Sequence, residues 1–206
     1  MENINTYYIN LDQRTDRKNE IEIVIKNLGI KNYSRIGSRG NEYPDDNALG
    51  TLISHIRCLN EGIKNNYDKI CILEDDFILL NENYKNLKLP DFKYDVYMLG
   101  GSIQKWEKYD ENYNRILRSV RSEGYIVCNH YYQTLKDIYI EGVSKLLNKV
   151  WYIYHCDVIW NKLQKKDLWL VHNSGLIGGQ KKGYSDLQKR TVGYQNFKKF
   201  KNNKSY

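Results

Sequence analysis

Lys-Ile-Cys-Ile-Leu-Glu-Asp-Asp, residues 69–76, decides the fold. Its first five residues are a short apolar run of the kind buried on both faces of a parallel sheet. The run passes directly into Glu74, Asp75 and Asp76. Ligands of α/β sheets bind in the crevice outside the carboxyl ends of the strands. Three adjacent carboxylates delivered to that edge repel one another and repel phosphate, so a divalent cation is their natural companion. Hard oxygen ligands suit Mg²⁺ or Mn²⁺. A solvent-exposed acidic turn is the competing reading of the three acids taken alone.

Working outward, strand and helix signals alternate. Thr6–Leu11 reads as a first strand. Thr15 can cap a helix whose apolar face is Ile21, Val24, Ile25 and Leu28, with Gly29 ending it. Asn32–Ile36 reads as a second strand, followed by a loop over 37–46. Leu52, Ile56, Leu59 and Ile63 mark a second amphipathic helix. Asp95–Leu99 and Gly124–Cys128 are further apolar strands, and Leu168–Val171 is the last. Between them lie an irregular polar insertion or lid at 102–123, a helical region around Leu135–Leu147 interrupted near Gly142, and a short helix opening near Cys156. A glycine-containing loop spans Ser174–Gly183. This alternation specifies an α/β protein with a mostly parallel central sheet.

The bulk numbers agree with a single domain. The chain has 206 residues, 41% hydrophobic and 28% charged, enough to bury a core without disulfides. Cys58, Cys71, Cys128 and Cys156 have no CxxC spacing and read as reduced core residues. There is no run of some 18 apolar residues and no signal-peptide pattern at the start, so a cytoplasmic location is expected. The net charge of +7 is concentrated at the end: residues 181–206 hold eight basic side chains against Asp186 alone. The remainder is balanced, which argues against nucleic acid as a partner. Residues 193–206 read as a solvated basic tail, with contact to an anionic membrane surface as the functional alternative.

Four ordered segments carry a family resemblance: YYINLDQRTDRK at 7–18, SHIRCLNEG at 54–62, ILEDDFIL at 72–79 and DVYMLG at 95–100. They closely resemble glycosyltransferase family 25, the lipooligosaccharide and collagen-type galactosyltransferases. GYIVC at 124–128, HCDVIW at 155–160 and the Gln180–Asp186 region fit more loosely. The resemblance spans about residues 6–187. It implies a GT-A-like, Rossmann-type nucleotide-sugar-binding fold over 1–192, with a donor half to about 101 and an acceptor half from about 102.

The resemblance also implies a UDP-sugar donor, galactose or glucose, and a glycan or hydroxylated protein as acceptor. Asp76 becomes the expected metal ligand for Mn²⁺ or Mg²⁺. Glu74 or Asp75 would touch the donor ribose, sugar or metal-bound water. Asn10 and Leu11 would line the base, with Arg14 and Arg17 beside it. Ser54 and His55, at the opening of the second helix, would face the donor pocket, and Gln180 and Ser185 would bind the nucleotide-sugar. His172 is expected to complete the metal site, with His155 as the competing choice. Asp157, at the start of a helix in the acceptor half, is the expected base of an inverting transfer. A retaining transferase of related fold and a non-catalytic nucleotide-sugar-binding protein are the alternatives.

Overall fold

The computed structural model describes residues 1–38, 47–148, 155–185 and 190–192. The elements run β1 (Asn5–Leu11), α1 (Thr15–Asn27), β2 (Tyr33–Ser38), α2 (Asn47–Lys64), β3 (Lys69–Glu74), β4 (Phe77–Leu79), β5 (Val96–Met98), β6 (Ser102–Lys108), β7 (Tyr113–Val120) and β8 (Gly124–Cys128). They continue with α3 (Tyr132–Leu147), α4 (Cys156–Ile159), α5 (Asn161–Gln164), β9 (Trp169–His172), β10 (Gly178–Gln180), β11 (Gly183–Ser185) and β12 (Arg190–Val192).

Eight strands form one sheet in the order β2-β1-β3-β8-β5-β9-β7-β6. β1 pairs in parallel with β2 and β3, and β5 with β9, whereas β8 and β7 are antiparallel to their neighbours. Six strands therefore point one way, and two oppose them. The fold is α/β, as the alternation of elements requires.

Strand alternation divides the core between the two faces. Tyr7, Ile70, Ile72, Val96, Met98, Val127 and Trp169 pack against Leu52 and Leu59 of α2 and Leu135 and Tyr139 of α3. Tyr8, Cys71, Leu73, Tyr97, Ile126 and Leu170 face the other way and cover Ile21 and Ile25 of α1. Ile70, Cys71, Ile72 and Leu73 are wholly buried, as a strand covered on both faces demands. Each such aliphatic side chain contributes about 1.5–3 kcal/mol. All four cysteines are buried and free.

Gly29 ends α1 at φ 69°, a left-handed position that favours glycine. Thr15 is not the cap: Arg14 holds that position without a side-chain bond, and its guanidinium pairs with Asp16 instead. The expected lid at 102–123 is largely a β-hairpin. β6 and β7 pair antiparallel, and β7 joins the sheet through β9. Its polar composition is that of an edge: β6 has no buried residue, while β7 buries Tyr113, Asn114, Ile116 and Ser119, on both of its faces. α3 runs unbroken through Gly142, which is buried. No described helix is long and apolar enough to cross a membrane. The basic tail at 193–206 lies outside the described residues.

Candidate active site

The site is assembled at the carboxyl edge of β1 and β3. β3 ends at Glu74, Asp75 and Asp76 make a two-residue turn, and β4 leaves at Phe77. β4 is held by β10, which pairs Gln180 with Phe77. The Phe77 ring lies under Gly124 and Gly178, where an added Cβ would overlap it. Bare glycine backbone on either side lets the ring, and with it the acidic turn, sit deep in the fold.

The three acids diverge. Asp75 turns toward β1: Asn10 Nδ2 donates to its Oδ2 at 2.8 Å, and Arg17 Nη1 meets Oδ1 at 3.0 Å. Both partners of that ion pair are largely buried. Arg17 also donates to the Tyr184 carbonyl, and Arg35 Nε donates to Asn10 Oδ1 at 3.1 Å. Asn10, Arg17 and Asp75 thus form a brace that ties β1, α1 and the acidic turn together. Burial raises the Asp75 pKa, opposed by Asn10 and Arg17.

Glu74 turns toward α2. Ser122 Oγ donates to its Oε1 at 2.6 Å, and His55 Nε2 lies 3.3 Å from the same atom. The net effect of burial, which raises it, and of His55 and Ser122, which lower it, is a depressed Glu74 pKa. Burial alone would lower His55, but Cys156 and Glu74 raise it to about 10. His55 is wholly buried, with Nδ1 2.8 Å from the Tyr125 hydroxyl and its ring stacked on Tyr125.

Asp76 turns inward. Gln180 Nε2 donates to Oδ2 at 2.8 Å and the Lys181 N–H donates to the Asp76 carbonyl at 2.7 Å. Asp76 Oδ1 is buried with no partner, and so is Glu123 Oε1. Burial, then the charge on Glu74, pushes the Asp76 pKa up to about 7. Burial, then Asp76, pushes Glu123 up to about 8.

Glu74, Asp76 and Glu123 line one cavity of about 570 Å³ together with Gln180, His155 and Asp157. Asp157 belongs to α4 but does not cap it. The cap is His155, and Asp157 Oδ2 accepts the Arg121 backbone N–H at 2.8 Å. Burial raises its pKa, which makes it a stronger base than a solvated aspartate.

Several expected positions are relocated. Ser54 and His55 lie well inside α2, which begins at Asn47, so no helix N-terminus faces a donor there. The Ser54 hydroxyl donates to the Gly50 carbonyl one turn back, at 2.8 Å. The helix starts early because Ala48 and Leu49 are buried in the core and extend the apolar face toward the N-terminus. His172 is not on the cavity wall: its Nδ1 lies 2.8 Å from Ser174 Oγ and its ring sits edge-on to Tyr113. Of the two histidines weighed for the metal, His155 is the one brought to the cavity. Arg14 points to Asp16, and Leu11 ends β1. Ser185 ends β11, and its side chain lies outside the described residues.

Arg121, Ser122 and Glu123 were not legible as site residues. They form the corner between β7 and β8 and touch the site at three points: the Arg121 backbone holds Asp157, the Ser122 hydroxyl holds Glu74, and Glu123 faces Asp76. They reach the carboxyl edge only because β8 runs antiparallel to β3, so that its beginning lies beside the end of β3. Polar residues immediately before an apolar strand were the one available signal.

Among the described residues, no three His, Cys, Asp or Glu side chains converge as a closed metal cage. The partnerless oxygens of Asp76 and Glu123 fit another kind of site. Mg²⁺-like ions are held by one or two carboxylates and complete their shell with phosphate and water.

The acidic cavity thus lies at the carboxyl edge of an α/β sheet and is faced by a separate buried carboxylate, Asp157. The family model for glycosyltransferase family 25 (LPS biosynthesis protein) matches residues 46–173, more than half of the sequence, and the chain belongs to that family. No curated protein sequence matches it. Among solved structures, it is similar to a glycosyltransferase involved in the glycosylation of the major capsid of PBCV-1, at 10% identity and TM-score 0.47, covering 82% of this chain and 92% of that one. It is similar to A197 from STIV at 13% identity and TM-score 0.45, covering 98% and 100%. The galactosyltransferase LgtC, in complex with donor and acceptor sugar analogues, is similar at 12% identity and TM-score 0.44, covering 81% and 73%.

Proposed function

We propose that this glycosyltransferase moves a hexose, galactose or glucose, from a UDP-sugar to a hydroxyl of a glycan or hydroxylated protein, with inversion and with a divalent cation. The observation that carries the reading is the shared cavity: Asp76 and Glu123, each with a buried partnerless oxygen, line the same space as Asp157.

Asp76 would hold Mn²⁺ or Mg²⁺, with Glu123 as the second carboxylate and His155 as an imidazole lining the same cavity. Bound there, the ion would neutralise charge on the departing diphosphate. Gln180 fixes the Asp76 carboxylate by holding Oδ2, and the partnerless Oδ1 would be the oxygen offered to an ion. Glu74, anchored by Ser122 and His55, serves the donor sugar or ribose. The Asn10–Asp75–Arg17 brace positions the turn and lies beside the nucleotide. Asp157 takes the proton of the acceptor hydroxyl as that oxygen attacks the anomeric carbon. The Arg121 N–H keeps Asp157 in place and leaves Oδ1 for the proton.

The test is a donor screen. Purified protein is mixed with UDP-galactose, UDP-glucose and related donors plus Mn²⁺, and UDP release is followed together with thermal shift. One donor is expected to raise the melting temperature and to release UDP slowly in a reaction that EDTA stops. Neither binding nor release with any donor would overturn the assignment. A non-catalytic binder would show the thermal shift without hydrolysis or transfer.

A further inference from the structure

The corner residue Arg121 has a feature that the proposed chemistry has not used. Its φ is 71°, the left-handed region that side-chain-bearing residues rarely adopt. That backbone carries two consequences. The Arg121 N–H donates to Asp157 Oδ2, and the residue forms part of the cavity lining. There its Nη1 is buried with no hydrogen-bond acceptor. Glu74, Asp76, Glu123 and Asp157 line the same space, yet Nη1 hydrogen-bonds to none of them.

A buried guanidinium N–H without an acceptor is costly, and the cost is recovered when an anionic ligand supplies the oxygen. Of the neighbouring acids, Glu74 is held by Ser122 and His55, Asp157 by the Arg121 backbone and Asp76 Oδ2 by Gln180, while Asp76 Oδ1 and Glu123 Oε1 are themselves unpartnered and Nη1 bonds to neither. Arg121 thus lines the space in which a donor would lie and keeps one guanidinium N–H unpaired.

We propose that Arg121 is a catalytic residue that grips the terminal phosphate of the nucleoside diphosphate leaving group. The proposal rests on the UDP-sugar reading above. In the transfer, the acceptor oxygen forms a bond to the anomeric carbon as the bond from that carbon to the phosphate oxygen breaks. The electron pair stays on the phosphate oxygen, where Arg121 donates hydrogen bonds to it, and the acceptor proton passes to Asp157. One residue thus serves both partners of the displacement, the base through its backbone and the leaving group through its side chain. This arrangement explains why a non-glycine residue occupies a left-handed corner.

The backbone geometry also supplies the test. Arg121→Gly keeps the N–H that holds Asp157 and suits φ 71°, while removing only the guanidinium. UDP and UMP binding in the presence of Mn²⁺ are measured by isothermal titration, alongside melting temperature and turnover. Arg121→Gly is expected to melt at or above the wild type and to bind UDP about 10- to 100-fold more weakly. UMP, which lacks the terminal phosphate, should change by less than about twofold, and kcat should fall along with UDP affinity. Arg121→Lys should fall between, since an ammonium keeps the charge without the planar fork, and it carries the same comparison should the glycine variant not fold. Unchanged UDP affinity and turnover in the variants would overturn the proposal, as would an equal loss for UDP and UMP. Wild-type protein that binds no UDP would overturn the donor reading itself, and this proposal with it.

Discussion

Asp76→Asn is expected to make the metal-free protein more stable while abolishing its metal-dependent donor binding. Asp76 rises from 3.8 to about 7 in the folded protein, through burial and the charge on Glu74. Between those values the folded state keeps a proton that the unfolded state has released. Stability is therefore lost as pH rises from about 4 to about 7, and the loss is complete above that. A shift of that size corresponds to an upper bound on the order of 4 kcal/mol. Water entry through the cavity reduces it, and about 2 kcal/mol is a reasonable expectation. In a chain of this length, that amounts to roughly 4–8 °C in melting temperature. Asparagine preserves the Gln180 bond through its carbonyl oxygen. Its amide group replaces the partnerless Oδ1 and is able to donate to an acceptor such as Glu123 Oε1. The assay is thermal unfolding in EDTA from pH 4 to pH 8, with UDP–Mn²⁺ titration in parallel. The variant's advantage should be near zero at pH 4 and grow toward pH 8. A variant less stable than wild type at pH 8, or a difference independent of pH, would refute the reasoning.

Asp157→Asn should lower kcat by roughly 10²- to 10⁴-fold with little change in donor affinity. The acid limb of the wild-type kcat/KM profile, set by protonation of a base whose pKa burial has raised, should disappear with it. Arg17→Ala removes the cation from a largely buried pair and should cost about 2 kcal/mol or more in urea unfolding. Adding Asp75→Asn should recover part of that loss, and a strictly additive double mutant would argue against a brace. Gly178→Ala places a methyl group against the Phe77 ring and should destabilise the fold by about 1–3 kcal/mol, with Phe77→Leu partly rescuing it. A neutral Gly178→Ala would mean that the ring is not held as described.

The acidic turn and the buried strand before it were readable from residues 69–76 because they depend on local pattern, whereas Asp157 was singled out only through the family resemblance. An apolar run followed by acids locates a strand end wherever the strand lies in the sheet. The family resemblance was legible for the same reason, since its motifs are contiguous and ordered. His172 and the Ser54–His55 pair were misplaced because position within an element does not specify where that element ends or which way its side chains turn. Asp75 and Asp76 are adjacent in sequence, yet one is engaged by Arg17 and Asn10 and the other by Gln180.

By itself, the sequence determined the alternation of strands and helices, the carboxylates at the end of β3 and the family to which the chain belongs. Only the tertiary structure decided the separate partners of Glu74, Asp75 and Asp76, and only it brought Arg121, Ser122 and Glu123 beside them. The reason is the direction of one strand. β8 opposes β3, so a corner nearly fifty residues away in sequence meets the acidic turn, and hydrogen-bond partners at that distance leave no periodic trace in the chain.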